Sequence, residues 1–306
     1  EGGLFKGEGF LSIKQLPLSA ANIFFNQTVS SQGGLDMNLI YNLDKKSFSS
    51  EISSNNTSIN NTKVVFDKGI IEFNNSIFDI DFSLLINDSQ SPLNIEGSIP
   101  INKKEDLDLR LIGNGEFIDL VDIFSFEYFD FKEGDVNLRM IIKGTRDKPI
   151  LNGFIVINDS EIDFYKNKIK DINSLIIFDF DYLHIKNLKA KDENTGNIFM
   201  SGSLPFYSKN ENGNSGINLK TNKITINSEN FNFLVDSNID ISGSFQNPVL
   251  GGNLSLNNGF INFNSTNQNN KIDNNSKIEE NKKDWPELNW NKNKNIEIIS
   301  NESILN

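Results

Sequence analysis

The 306-residue chain has no cysteine, three alanines and a single histidine, His184. Without cysteine there is no disulfide framework, thiolate nucleophile or thiolate metal ligand, and the redox state of the compartment leaves no mark on the sequence. One histidine removes zinc sites built on paired imidazoles and leaves a single histidine base for the whole chain. Alanine is scarce while isoleucine occurs 40 times and phenylalanine 25 times, which excludes a helical bundle and favours strands. Helix is expected only around Leu16 to Phe25 and Phe117 to Phe124. Cations are outnumbered too, 29 Lys+Arg against 41 Asp+Glu for a net charge of −12. The basic footprint that a phosphate backbone requires is missing, so nucleic acid is not an expected partner. No apolar run approaches the ~18 to 20 residues of a membrane-spanning helix; Leu175-Ile176-Ile177-Phe178 is cut short by Asp179. The chain opens at Glu1 without a charged n-region and apolar h-region, and reads as a piece of something longer or a processed product.

What the sequence does have is period-two alternation. Phe78, Ile80, Phe82, Leu84 and Ile86 fall on one face of a strand, with Asp79, Asp81 and Ser83 on the other. The pattern returns at Ile176, Phe178, Phe180 and Tyr182, with Asp179 and Asp181 between them. Shorter alternating stretches follow at Leu107/Leu109, Met140/Ile142, Ile155/Ile157, Ile162/Phe164, Leu254/Leu256 and Ile261/Phe263. Turn-forming groups such as Asn158-Asp159-Ser160 and Asn257-Asn258-Gly259 space them, and about twenty to twenty-five short strands are expected.

Internal repetition decides the architecture. Gly144, Pro149, Gly153, Ile155, Ile157, Ile162 and Phe164 recur 99 residues later as Gly243, Pro248, Gly252, Leu254, Leu256, Ile261 and Phe263. Gly97-Ser98-Ile99-Pro100-Ile101 recurs 105 residues later as Gly202-Ser203-Leu204-Pro205-Phe206. Tandem units that each expose an apolar face stabilise one another by stacking, so the expectation is an elongated, repeat-built all-β sheet with little helix. A first unit is expected over 1–117, a second over 118–229 and the start of a third over 230–264. An Asn/Lys-rich stretch at 265–283, too poor in apolar side chains to order itself, reads as a disordered insertion. Strand character resumes over 284–306 in a truncated segment.

The cassettes Gly144-Thr145-Arg146-Asp147-Lys148-Pro149-Ile150-Leu151-Asn152-Gly153 and Gly243-Ser244-Phe245-Gln246-Asn247-Pro248-Val249-Leu250-Gly251-Gly252, each leading into an alternating strand, resemble the TamB family. Leu16-Pro17-Leu18 and Glu133-Gly134-Asp135-Val136-Asn137-Leu138 resemble its linker-and-strand pattern. The resemblance covers roughly residues 1–264 and the last twenty or so. It implies an open β-solenoid-like trough, a β-taco, lined with apolar side chains and held by an N-terminal inner-membrane helix outside this sequence. It further implies a place in the periplasm or intermembrane space of a double-membrane envelope and phospholipid as the cargo. An outer-membrane β-barrel is the implied protein partner, with a link to outer-membrane protein assembly, and membrane contact is left to parts outside this sequence.

The residues expected to contact lipid are Phe78, Ile80, Phe82, Leu84, Met140, Ile142, Ile155, Ile157, Ile162, Phe164, Ile176, Phe178, Phe180, Tyr182, Leu254, Leu256, Ile261 and Phe263. The glycine and proline residues of the cassettes read as turn punctuation. His184 sits where the alternation slips by one residue and reads as a polar surface or bulge residue. Asp79/Asp81 and Asp179/Asp181 are carboxylates two apart on one strand face; an acid and base pair or a calcium site is the sharper reading, a solvated outer face the plainer one. No catalytic residue, metal or cofactor is expected, and the protein is not read as an enzyme. The alternatives are a structural or adhesive β-solenoid with a closed core and, more remotely, a glycan-acting β-helix.

Overall fold

The computed structural model describes residues 7–19, 31–59, 62–87, 89–115, 129–164, 167–207, 216–228, 231–261, 296–301 and 304–305. Isoleucine and phenylalanine at alternate positions stiffen an extended backbone and give it one dry side, and among the described residues strands are the regular element throughout. In chain order these are β1 (Glu8–Pro17), β2 (Ser31–Asn42), β3 (Ser47–Ile59), β4 (Thr62–Asn74), β5 (Ile77–Ile86), β6 (Leu93–Pro100), β7 (Leu107–Gly115) and β8 (Phe129–Thr145). They continue as β9 (Lys148–Phe164), β10 (Asn167–Phe180), β11 (Tyr182–Asp192), β12 (Asn197–Pro205), β13 (Ile217–Asn227), β14 (Phe231–Gly243) and β15 (Pro248–Ile261). Each of these pairs antiparallel with its sequence neighbours, so the sheet is a meander. Short strands β16 (Ile296–Asn301) and β17 (Ile304–Leu305) lie parallel to β15. Fifteen antiparallel strands ~4.8 Å apart make a sheet about 70 Å long. The ladder runs unbroken from β7 to β8 and from β13 to β14, across the limits expected between repeat units.

Among the described residues the strands are fewer and longer than the turn signals suggest, with β8 and β9 each 17 residues long. Asn158-Asp159-Ser160 and Asn257-Asn258-Gly259 are not turns but bulges inside β9 and β15, where Asp159 and Asn258 take φ of 45° and 42° and the pairing register slips. Asn and Asp enter left-handed backbone at low cost, so the same residues serve a turn or a bulge, and composition alone does not separate the two. Other strands carry equivalent kinks at Gln15, Asn56, Asp171 and Lys223, with φ of 54°, 49°, 53° and 53°.

A bulge releases a backbone N–H from the ladder, and a side chain of the neighbouring strand recovers it. Gln15 N donates to Asp36 Oδ1 at 2.8 Å, Lys223 N to Asp236 Oδ1 at 2.7 Å and Asp159 N to Asn173 Oδ1 at 3.3 Å. The hydrogen bond from Gln15 N is the main cause that holds the Asp36 carboxyl below its ordinary pKa, and Lys14 adds to it. Because the kinks recur from strand to strand, the sheet folds lengthwise into a trough. Phe131 and Ile162, beyond the bulges of β8 and β9, accordingly pack in one cluster with Leu93, Val136 and Leu138 on the near side.

The cassette glycines divide into two kinds, a correction to reading them all as turn residues. Gly144 and Gly243 stand at hairpin ends, with φ of 75° and 83°. Gly153 and Gly252, 99 residues apart, lie in mid-strand with φ of 152° and 127°, where a Cβ would run into the carbonyl oxygen of Arg139 and of Asn238 on the facing strand. Only glycine permits that approach. The expected helix at Phe117–Phe124 and the stretch at 265–283 lie outside the described residues. So does most of Leu16–Phe25, whose first two residues belong to β1.

Candidate functional site

Cross-strand partners share a face, so the register shows which side chains line the trough. Phe82, Ile95, Leu111, Met140, Gly153, Phe178, Leu183 and Leu204 follow one another from β5 to β12 in a single row. The row above it is Ile71, Ile80, Gly97, Leu109, Ile142, Leu151 and Phe180. Ile155, Ile176, Ile185, Gly202, Ile217 and Ile241 continue the face towards β14. Leu254 and Leu256 join it through Ser237 and Val235.

Of the residues expected to line the trough, Phe78, Ile80, Phe82, Leu84, Met140, Ile142, Ile155, Ile157, Ile176, Phe178, Leu254 and Leu256 share this inner face. Leu84, Met140, Ile155, Ile157 and Ile162 pack against the buried cluster of Leu93, Phe131, Val136 and Leu138, which forms the floor. Phe164 follows Ile162 on the folded-over tip of β9. Ile261 ends β15, and Phe263 lies outside the described residues.

Tyr182 is misplaced by alternation. Residues 176–182 are not one strand: β10 ends at Phe180, whose φ is 54°, and the chain turns through Asp181 into β11. A two-residue reversal restarts the alternation, so Tyr182 pairs with Asp179 and belongs to the outer face. There it stacks on His184, ring centroids 5.9 Å apart, and His184 Nε2 lies 4.0 Å from Asp179 Oδ2. The same reversal accounts for the slip at His184. It also removes Asp179 and Asp181 as a pair on one strand. On β5, Asp81 is engaged by Lys68.

Sequence reading missed the aromatic neighbours that flank the aliphatic middle of the trough. At one end Phe48 lies 5.3 Å from Phe73, Phe73 lies 4.9 Å from Phe78, and Phe66 meets Phe82 edge-on at 5.5 Å. Towards the other, Phe178 stacks on Phe206 at 6.0 Å and Phe206 meets Phe245 at 5.8 Å. Phe48 and Phe73 lie in stretches without long alternation and meet only through cross-strand register, and Phe206 lies just past the end of β12, between Pro205 and Tyr207.

Both rims are tied. On one, Tyr207 Oη donates to Pro149 O at 2.8 Å, Phe206 N to Asp181 O at 2.7 Å and Phe245 N to Pro205 O at 2.8 Å. Arg146 donates to Pro100 O. Burial, helped by Asp181, raises the Tyr207 pKa and keeps its hydroxyl a donor. On the opposite rim Asp192, 4% exposed, accepts from Gly196 N and Thr225 N, each at 2.5 Å. Outside, the strands carry polar ladders such as Asn218 to Asn238 at 2.9 Å and Arg110 to Glu96 at 2.9 Å. Among the described residues, no three His, Asp or Glu side chains are grouped to hold a metal ion.

With that geometry in hand, residues 186–303 match a family described as the TamB C-terminal domain. A stretch of 135 residues is 25% identical to "Protein TIC236, chloroplastic" of Arabidopsis thaliana, covering 43% of this chain and 6% of that protein. The chain thus corresponds to a small part of that relative's length. No solved structure matches.

Proposed function

We propose, from the match of residues 186–303 to the TamB C-terminal domain, that the chain is a segment of a TamB-like protein and that its trough conducts phospholipid acyl chains across the space between two envelope membranes. The observation that carries this reading is the apolar inner face that runs from Ile71 and Ile80 on β4 and β5 to Ile217 and Ile241 on β13 and β14, backed by an outer face that is polar except at β9 and β10. An acyl chain of about sixteen methylenes crossing water exposes roughly 12 kcal/mol of apolar surface, at ~0.8 kcal/mol per methylene. A groove that covers most of the chain removes most of that barrier while the headgroup stays wet at the open side. The site in this reading is the row of half-buried side chains above the packed floor, and no covalent chemistry is needed.

The same premise supports a place in the periplasm or intermembrane space, an inner-membrane anchor outside this sequence, and an outer-membrane β-barrel as partner. A role in outer-membrane protein assembly would use the same apolar face for an unfolded strand. The test is mass spectrometry of organic extracts from the folded, purified protein, together with photo-crosslinking from Ile80 and Ile142. Phospholipid recovered near stoichiometry and crosslinked from both positions supports the groove. A protein that folds, carries no lipid and crosslinks to none has a closed or empty trough, and the reading fails.

A further inference from the structure

The outer face is polar along most of the sheet and ceases to be so at β9 and β10. Phe154 and Val156 on β9 and Leu175 and Ile177 on β10 point away from the trough, because their neighbours Ile155, Ile157, Ile176 and Phe178 point into it. Phe154 pairs with Ile177 and Val156 with Leu175. The same face also carries Ile141 on β8, 38% exposed and paired with Asn152, and Ile112 on β7, paired with Arg139. Between β9 and β10 lies a hollow of about 290 Å³ that Phe154, Leu175, Ile177, Asn152 and Asp179 help to line. Strands apolar on both faces normally have both faces covered. Here each strand contacts essentially its ladder neighbours, and no described element lies over this face.

The charges around the patch indicate what covers it. Arg139 stands in the same row as Phe154 and Ile177, flanked by Ile112, and forms no ion pair with a described residue. Asp179, its side chain 60% exposed, stands one strand beyond β9 on the other side and one row up. A two-fold axis running along β9 exchanges the β8 and β10 columns of two sheets laid face to face. Phe154 then meets its own copy, and the partner's Arg139 comes over Ile177, within reach of Asp179. Val156 likewise meets its own copy, and the partner's Asn137 comes over Leu175, so the match rests on the β9 side chains and the Arg139–Asp179 charges.

We propose that the outer face of β8–β10 is a docking surface for a second copy of this chain, packed as two aligned sheets back to back with their troughs facing outward. Three strands ~4.8 Å apart and three side-chain rows ~7 Å apart cover roughly 300 Å² per copy. That is less than a stable dimer buries, so the association is weak and transient, to be sought at tens of micromolar protein and above.

Sedimentation velocity on the 306-residue protein at ~1 to 200 μM measures it. A concentration-dependent monomer–dimer equilibrium is expected in the wild type, abolished by Ile177→Asp. Arg139→Asp and Asp179→Arg should each weaken dimerisation about tenfold, and combining both in one chain should restore it. These charge changes leave the apolar packing intact, so they decide the matter even if Ile177→Asp misfolds. A wild type that stays monomeric throughout overturns the proposal, as does a dimer indifferent to both charge reversals. Vesicles of phosphatidylglycerol serve as the control: monomeric protein that binds them through Arg139 shows the patch to be a membrane contact instead. None of these outcomes depends on whether the trough holds lipid.

Discussion

Strands β5 and β10 have nearly the same inner side and opposite outer sides. On β5, Phe78, Ile80 and Phe82 face the trough while Asp79, Asp81 and Ser83 face away, and Asp81 is held by Lys68. On β10, Ile176 and Phe178 face the trough while Leu175 and Ile177 face away. The inner pattern is imposed by what every strand has in common, a floor and wall to build, and it therefore recurs along the chain. The outer pattern is set by what lies outside each strand, and it changes where the surroundings change. Alternation in a sequence reports the first demand reliably. A run without alternation, such as Leu175 to Phe178, means two demands at once.

The largest effect that tests this comparison is a charge placed on the inner side of either strand. Phe82→Asp and Ile176→Asp should each destabilise the fold by several kcal/mol, because an unpaired carboxylate among apolar side chains loses its hydration or takes up a proton. Both should also lower any co-purified lipid. The outer changes should separate the two strands: Asp81→Asn should stay within about 0.5 kcal/mol of wild type. Ile177→Asp should cost less than Ile176→Asp in dilute solution, where the outer face is wet. Urea unfolding at low micromolar protein measures all four. Equal damage from Ile176→Asp and Ile177→Asp would mean that β10 is sealed on both sides within one chain, and the contrast between the faces would fall.

A smaller contrast sits in two adjacent glycines of β15. At Gly252, with φ of 127°, a Cβ would collide with the Asn238 carbonyl, whereas at Gly251 it would meet nothing within 4 Å. Gly252→Ala should therefore cost about 2 to 4 kcal/mol, through strain and displacement of β14, and Gly251→Ala less than about 0.5. Thermal denaturation of the two variants is enough. Similar melting temperatures would show that β14 yields freely at Asn238, and the mid-strand reading of the repeated glycine would be wrong.

Much of the trough was legible because an inner face needs only period two. The alternation placed Phe78, Ile80, Phe82, Met140, Ile142, Ile155 and Phe178 on one side, and the register agrees. It failed at Tyr182, where a two-residue reversal at Phe180 and Asp181 looks in sequence like one more step of the same strand. It failed again at Asn158-Asp159-Ser160, where a bulge uses turn residues without turning the chain. The aromatic contacts between Phe48, Phe73 and Phe78 were hidden for another reason: they join three strands, and no local window contains them. Repetition carried the architecture, but it carried no information on which carboxylates catch the bulges.

Those carboxylates give the smallest expected effect, and it bears on the outer face of β2. Asp36 accepts a hydrogen bond from the kinked backbone at Gln15 and lies 3.4 Å from Lys14 Nζ, and both interactions favour its ionised form. Its folded pKa is therefore below the ordinary value of 3.8. A depressed carboxylate contributes stability that is fully present above the unfolded pKa and is lost as pH falls through the folded pKa. Wild type should accordingly lose slightly more stability below pH 3.8 than Asp36→Asn, which keeps an oxygen to accept the Gln15 N–H but carries no charge to titrate. Asp36→Ala should be the less stable of the two variants at neutral pH, since it leaves the bulged N–H to water. The difference is modest because Asp36 is solvent-screened, and Asp171, held low by its bond to Lys191, should behave the same way. Unfolding curves of the three proteins between pH 7 and pH 2.5 read it out; parallel pH profiles for wild type and Asp36→Asn would show that the bulge on β1 closes without help from the carboxylate.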